Sequence, residues 1–329
     1  MSRPGGRAYA GSASLVTPGL AELYRPLVKS RGRDVTGTAL TGLTGFAALL
    51  ILAMVAVIVG NVVWFGWRTV TWEFLSTAPR EGMTAGGIFP AIFGTTALVV
   101  LMVVALVPFG VGAAVYLHEY ARPDAVFTRA VRFAVQNLAG VPSIVFGLFG
   151  LGFFIQFVGR GLDRALGLDV VWGQPALLWA ALTLALLNLP VVIVTTEEAL
   201  RTVPREMREA ALALGATRWQ TVWHVLLPQA LPGILTGAIL SVSRGAGEVA
   251  PILFTGAAYY LPYLPHSPAD PFMELGYHVF VMATQSPDVN ATRPLLYGTV
   301  LVLLLLTLAL NLVAIVIRAK LRSRLAGRG

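Results

Sequence analysis

Leu295-Leu296-Tyr297-Gly298-Thr299-Val300-Leu301-Val302-Leu303-Leu304-Leu305-Leu306-Thr307-Leu308-Ala309-Leu310-Asn311-Leu312-Val313-Ala314-Ile315-Val316-Ile317 carries no charged side chain. A helix rises 1.5 Å per residue and needs about 20 apolar residues to cross the hydrocarbon of a bilayer. An isolated strand cannot satisfy its backbone there, so the stretch reads as a helix in lipid. Five other segments read the same way: Leu40–Trp64, Ile88–Tyr116, Phe133–Val158, Leu177–Thr195 and Leu231–Ala257. The predicted class is all-α, a polytopic membrane protein with six transmembrane helices.

Composition agrees. Of 329 residues, 56% are hydrophobic and 12% charged, and the mean hydropathy is +0.75. A soluble domain needs a larger charged surface. The net charge of +8 would raise nucleic acid as a partner if it formed one patch. Instead the basic residues are dealt out between apolar blocks, so lipid is the expected partner and nucleic acid is not. There is no cysteine, which removes disulfides and thiolate chemistry. The first apolar block is too long for a signal-peptide core and reads as an uncleaved first helix.

Basic residues crowd alternate loops. Arg3, Arg7, Arg25, Lys29, Arg31 and Arg33 precede the first segment, and Arg122, Arg129 and Arg132 follow the second. Arg201, Arg205, Arg208 and Arg218 follow the fourth, and Arg318, Lys320, Arg322, Arg324 and Arg328 end the chain. The other side holds only Arg68, Arg80, Arg160, Arg164 and Arg293. This asymmetry places both termini in the cytoplasm. The expected organisation is a basic cytoplasmic arm at 1–36, a membrane domain at 37–320 and a basic tail at 321–329. Pro142 is the expected kink within the third segment.

The loop 197–228 between the fourth and fifth segments is the most informative. Pro204 suits a first helical turn, Glu206 and Glu209 suit its positive end, and Gly215 is placed to stop it. A second helix is expected to follow, up to Pro228. A short amphipathic helix projecting from a membrane domain needs a partner.

Glu209-Ala210-Ala211, three residues, Gly215, nine residues and Val225-Leu226-Leu227-Pro228 resembles the EAA loop of ABC-importer permeases at every fixed position. The resemblance extends to Gly82–Thr95, Gly110–Tyr120, Asn137–Gly150 and Arg244–Pro251, which are similar to A-type phosphate permeases (PstA). Val249 stands where that family has threonine. The resemblance implies a type I ABC importer permease fold and ATP-driven phosphate import. It implies that Glu209, Ala210, Ala211, Gly215, Leu227 and Pro228 form the coupling element for separate ABC ATPase subunits. Those subunits would bind ATP-Mg. This chain would bind no cofactor and catalyse nothing itself; it has no Walker A pattern. A second, C-type permease subunit and an extracytoplasmic phosphate-binding protein complete the implied assembly.

Arg244 and Glu248 are four apart and are expected on one face of the fifth helix. Charge inside an apolar span is costly, so both should face protein or water. One reading is a self-neutralising structural pair. The other is an anion site, since a guanidinium offers a planar fork to an oxyanion. Two rivals share parts of this pattern: a sulfate or molybdate ABC permease, in which Phe-Gly-Ala typically follows the Gly-Glu, and an ATP-independent secondary transporter. A membrane enzyme is the third. His118, His224, His266 and His278 form no metal-ligand spacing, so neither metal nor catalytic residues are assigned.

Overall fold

The computed structural model describes residues 35–286 and 288–326. The basic arm expected at 1–36 lies almost wholly outside them. Among the described residues, six helices are long and apolar enough to cross a membrane: Thr36–Gly66, Phe89–Tyr120, Ser143–Leu166, Leu177–Arg201, Arg218–Gly245 and Val289–Ser323. They are called the first to sixth spans. The chain divides into two compact units, Met1–Val59 and Gly60–Gly329. In the first, the described residues are the beginning of the first span. The second holds every other element.

Within the second unit the second and fourth spans pack most extensively, followed by the fourth and fifth. The fourth span is the most enclosed, with 67% of its apolar window buried. Leu98, Met102 and Leu106 of the second span meet Leu184 and Leu187 of the fourth and Val242 of the fifth in one core cluster. The close of the first span rests on the start of the sixth, where the Phe65 and Tyr297 rings lie 5.3 Å apart.

The third and fifth spans depart most from their expected course. The segment read as Phe133–Val158 is two helices. An amphipathic one, Val126–Leu138, ends before Gly140, and the third span begins at Ser143 with Pro142 at its N-cap. Proline has no N–H to give a preceding turn and disfavours helix at Val141, so the chain breaks rather than kinks. The fifth span starts earlier than Leu231 and stops earlier than Ala257. Helix runs from Arg218 through a π-helical turn at Val222–Leu226 into Leu227–Gly245. Pro228 therefore does not end a helix. It sits in the first turn after the π segment, where its missing N–H costs least. Beyond Gly245 the chain is irregular apart from a 3₁₀ turn at Ile252–Phe254.

The connection between the fifth and sixth spans contains the short apolar helix Leu275–Thr284. Its N-cap is Glu274, 2% exposed. The Glu274 carboxylate accepts from the Gly276 N–H at 2.8 Å and the Tyr277 N–H at 2.6 Å, and Thr95 Oγ1 of the second span lies 3.4 Å away. Burial pushes its pKa up to about 7, against the pull of these hydrogen bonds. The folded state thus holds a proton that the unfolded chain releases near pH 4.5. Stability from this group is full below that value and falls as pH rises through about 7. The expected loss is roughly 3 kcal/mol at most. Thermal unfolding in detergent should show a midpoint that declines between about pH 5 and 7.5, and Glu274→Gln should flatten that decline. An unchanged slope in the variant would remove Glu274 as its source.

Candidate functional site

The residues singled out in the sequence fall in two clusters. The first is the connection between the fourth and fifth spans. Arg205–Ala213 forms a helix with Pro204 at its N-cap and no buried residue. It closes in paired bonds: Ala216 N–H donates to Ala211 O at 3.1 Å and Gly215 N–H to Leu212 O at 3.0 Å. This closure needs a left-handed residue, and Gly215 supplies it at φ +85°. Any side chain there would be strained. Thr217 then caps the next helix reciprocally: its hydroxyl accepts from Gln220 N–H at 3.2 Å, and Gln220 Oε1 accepts from Thr217 N–H at 2.8 Å. Glu209, Ala210 and Gly215 are exposed, and Ala211, Leu227 and Pro228 are half-buried. Leu214 is 89% exposed beside them. A concave surface of about 480 Å³ runs past Leu214, Gly215, Ala216, Gln220, Thr221, His224 and Val225. The helix thus presents an open face with two small alanines.

Sequence reasoning missed the polar anchors beneath this helix. Arg208 is ion-paired with Glu119, which belongs to a π-helical turn, Tyr116–Tyr120, at the end of the second span. Arg132 donates to Glu197 Oε2 at 2.9 Å and to the Leu117 carbonyl at 3.1 Å. Arg201 approaches the same Glu197 oxygen at 3.9 Å. Helical spacing flags Glu197 and Arg201; nothing local flags the other pairs.

The second cluster is Arg244 and Glu248. Arg244 lies in the last turn of the fifth span. Glu248 does not share its helix, contrary to expectation, because helical hydrogen bonding ends at Gly245–Gly247. The two still meet: Arg244 Nε donates to Glu248 Oε1 at 3.1 Å. The Arg244 side chain is 44% exposed and that of Glu248 19%. Among the described residues neither terminal guanidinium nitrogen of Arg244 has a recorded hydrogen bond. Gly245 allows the close approach of the second span, since a Cβ there would meet Met102 Sδ at 2.6 Å. Val249 packs toward Gly276, whose Cβ would lie 2.8 Å from Val249 Cγ2. Position 249 therefore faces the helix capped by Glu274. The pair is a fixed cation with a single carboxylate partner and an open side, an arrangement able to take up an oxyanion.

Residues 106–327 match the family described as binding-protein-dependent transport system inner membrane component. The chain is 34% identical over 296 residues to the probable ABC transporter permease protein YqgI of Bacillus subtilis (strain 168), covering 86% of this chain and 95% of that one. It is 36% identical over 238 residues to the phosphate transport system permease protein PstA 1 of Mycobacterium tuberculosis (strain ATCC 25618 / H37Rv), covering 70% and 71%. The phosphate transport system permease protein PstA of Yersinia pestis is 33% identical over 282 residues, covering 82% and 89%. Among solved structures, the fold is similar to that of a bacterial ABC transporter involved in the import of the acidic polysaccharide alginate, with a TM-score of 0.60 at 16% identity, covering 92% of this chain and 99% of that one. It is also similar to the inward-facing MetNI methionine ABC transporter, with a TM-score of 0.51 at 19% identity, covering 71% and 95%.

Proposed function

The chain belongs to the family of binding-protein-dependent transport system inner membrane components, and on that premise we propose that it is the permease subunit through which an ATP-driven importer passes inorganic phosphate. Membership makes it the membrane component of an ABC importer and not the ATPase, and sets aside the ATP-independent transporter. Phosphate is the finer reading. It is supported by the PstA relatives and, on this chain, by one observation: Arg244 spends only its Nε on Glu248 and leaves its exposed fork to an anion. A phosphate oxygen pair matches that fork. Val249-Ala250-Pro251 after Glu248 favours phosphate over the sulfate and molybdate permeases.

On this reading the Arg205–Ala213 helix docks on the ATPase with Ala210 and Ala211 at the contact, and Gly215 lets the helix pair turn. Glu209, Leu227 and Pro228 complete the element. Both termini and this helix then lie in the cytoplasm, and a second, C-type permease subunit lies across the pathway from Arg244. An extracytoplasmic phosphate-binding protein delivers the ion.

The test is labelled phosphate uptake by vesicles containing the chain with its co-encoded partners, with and without ATP, and with excess sulfate or molybdate. ATP-dependent uptake indifferent to both competitors is the expected result. Competition by either would reassign the substrate.

A further inference from the structure

The helix Arg205–Ala213 buries none of its side chains, so a force applied to it can leave only through its few attachments. Two are covalent: residues 202–204 join the helix to the fourth span, and the Gly215 turn joins it to the fifth. The Gly215 turn is held by its own backbone bonds and by the Thr217 cap, and a Cβ there would meet nothing within 4 Å. The third is a side-chain link, the ion pair of Arg208 with Glu119. The Glu119 side chain is only 10% exposed, so water competes little for its partner. His118 Nε2 lies 3.6 Å from the same carboxylate oxygen.

Glu119 stands at the end of the second span, in a π-helical turn. Turns of that kind are local departures from helix that recur at functional sites. Arg132 clamps the same turn to the fourth span, bonding both the Leu117 carbonyl and Glu197. The second and fourth spans are also the most extensively packed pair, so they take up a displacement together. At about 1.5 Å per residue, Met102 lies roughly 25 Å along the second span from Glu119. There Met102 abuts Gly245, the neighbour of Arg244. Besides its covalent joins to the fourth and fifth spans, the short helix thus reaches the Arg244 turn through the second span by way of Glu119.

We infer that the Glu119–Arg208 ion pair is a positioning link that carries displacement of the Arg205–Ala213 helix into the second span. It is not a docking contact and touches no substrate. The inference rests on the reading of that helix as the ATPase-docking element.

The test uses the complete transporter in proteoliposomes and compares basal ATP hydrolysis, hydrolysis stimulated by loaded binding protein, and phosphate uptake. Glu119→Gln should leave ATPase co-purification and basal hydrolysis unchanged. It should lower the stimulated-to-basal ratio and uptake by roughly tenfold. The double reversal Glu119→Arg with Arg208→Glu should recover much of both. A wild-type ratio in Glu119→Gln overturns the link, as does a double reversal that accumulates normally without recovering stimulation. Should neither variant accumulate in the membrane, the pair serves assembly and the link is equally overturned. Failure of the unaltered chain to retain the ATPase would instead overturn the docking reading, which separates the two.

Discussion

Replacing Arg244 by alanine is expected to reduce phosphate uptake about a hundredfold while leaving the amount of protein in the membrane unchanged. Arg244 sits in the last turn of the fifth span with its side chain nearly half exposed and one protein hydrogen bond, to Glu248. Removing it therefore breaks no packing cluster. What it removes is the positive charge and the fork. Loss of one partner in a charge-assisted contact costs on the order of 2–5 kcal/mol when the contact is enclosed, and each 1.4 kcal/mol is about tenfold. Partial exposure argues for the lower half of that range. Arg244→Lys separates the two contributions, because lysine keeps the charge and loses the planar pair of donors; it should recover part of the uptake but not all. Uptake by Arg244→Ala at the unaltered rate would sink the anion-site reading and leave the structural ion pair as its role.

The second large effect is expected at Ala210. Ala210→Arg should abolish co-purification of the ATPase and reduce uptake roughly a hundredfold, with the fold intact. Ala210 is exposed on a helix that buries nothing, and substitutions at such positions usually change stability by about 0.5 kcal/mol or less. The penalty arises only when a partner surface must close over the methyl group. Disrupting a central contact of that kind costs on the order of 2–4 kcal/mol. Membrane abundance, detergent stability and ATPase retention are measured side by side. Retention of the ATPase by Ala210→Arg would remove this face from the docking surface and move attention to the concavity beside Leu214 and His224.

The six spans were legible because apolar length is a property of composition and survives any detail of packing. Their limits were not, and the two missed breaks in helix have one cause. Hydropathy continues across Ala139–Pro142 and across Ala246–Ala257, while the backbone does not. Apolar residues say that a segment is out of water; they do not say that its hydrogen bonds run unbroken. The proline signal at 142 was read as a bend, whereas the pairing of Gly140 with Pro142 ends a helix. The turn at Gly215 was readable because only one residue type suits its φ. Thr217-x-x-Gln220 carried the capping signature of the helix that follows. The electrostatic anchors lay beyond local reading. Glu119 and Arg208 are 89 residues apart, and Thr95 and Glu274 are 179 apart. No periodicity relates such positions; only the packed fold brings them together.

The unwinding after Gly245 changes what the Arg244–Glu248 contact is. Had both residues stood on one continuous helix, their separation would be fixed by the helix itself. Here one partner is on a rigid rod and the other on irregular chain, so their distance follows the torsions of a few intervening residues, two of them glycines. On the reading of Arg244 as the anion contact, the oxyanion takes the free terminal nitrogens while Glu248 keeps the Nε. The cation is then never left bare, and the negative charge of Glu248 stands close to the bound ion and opposes its hold. As the loop torsions change, so does that opposition, and the site can take its ion up and give it back without a deep well to climb out of.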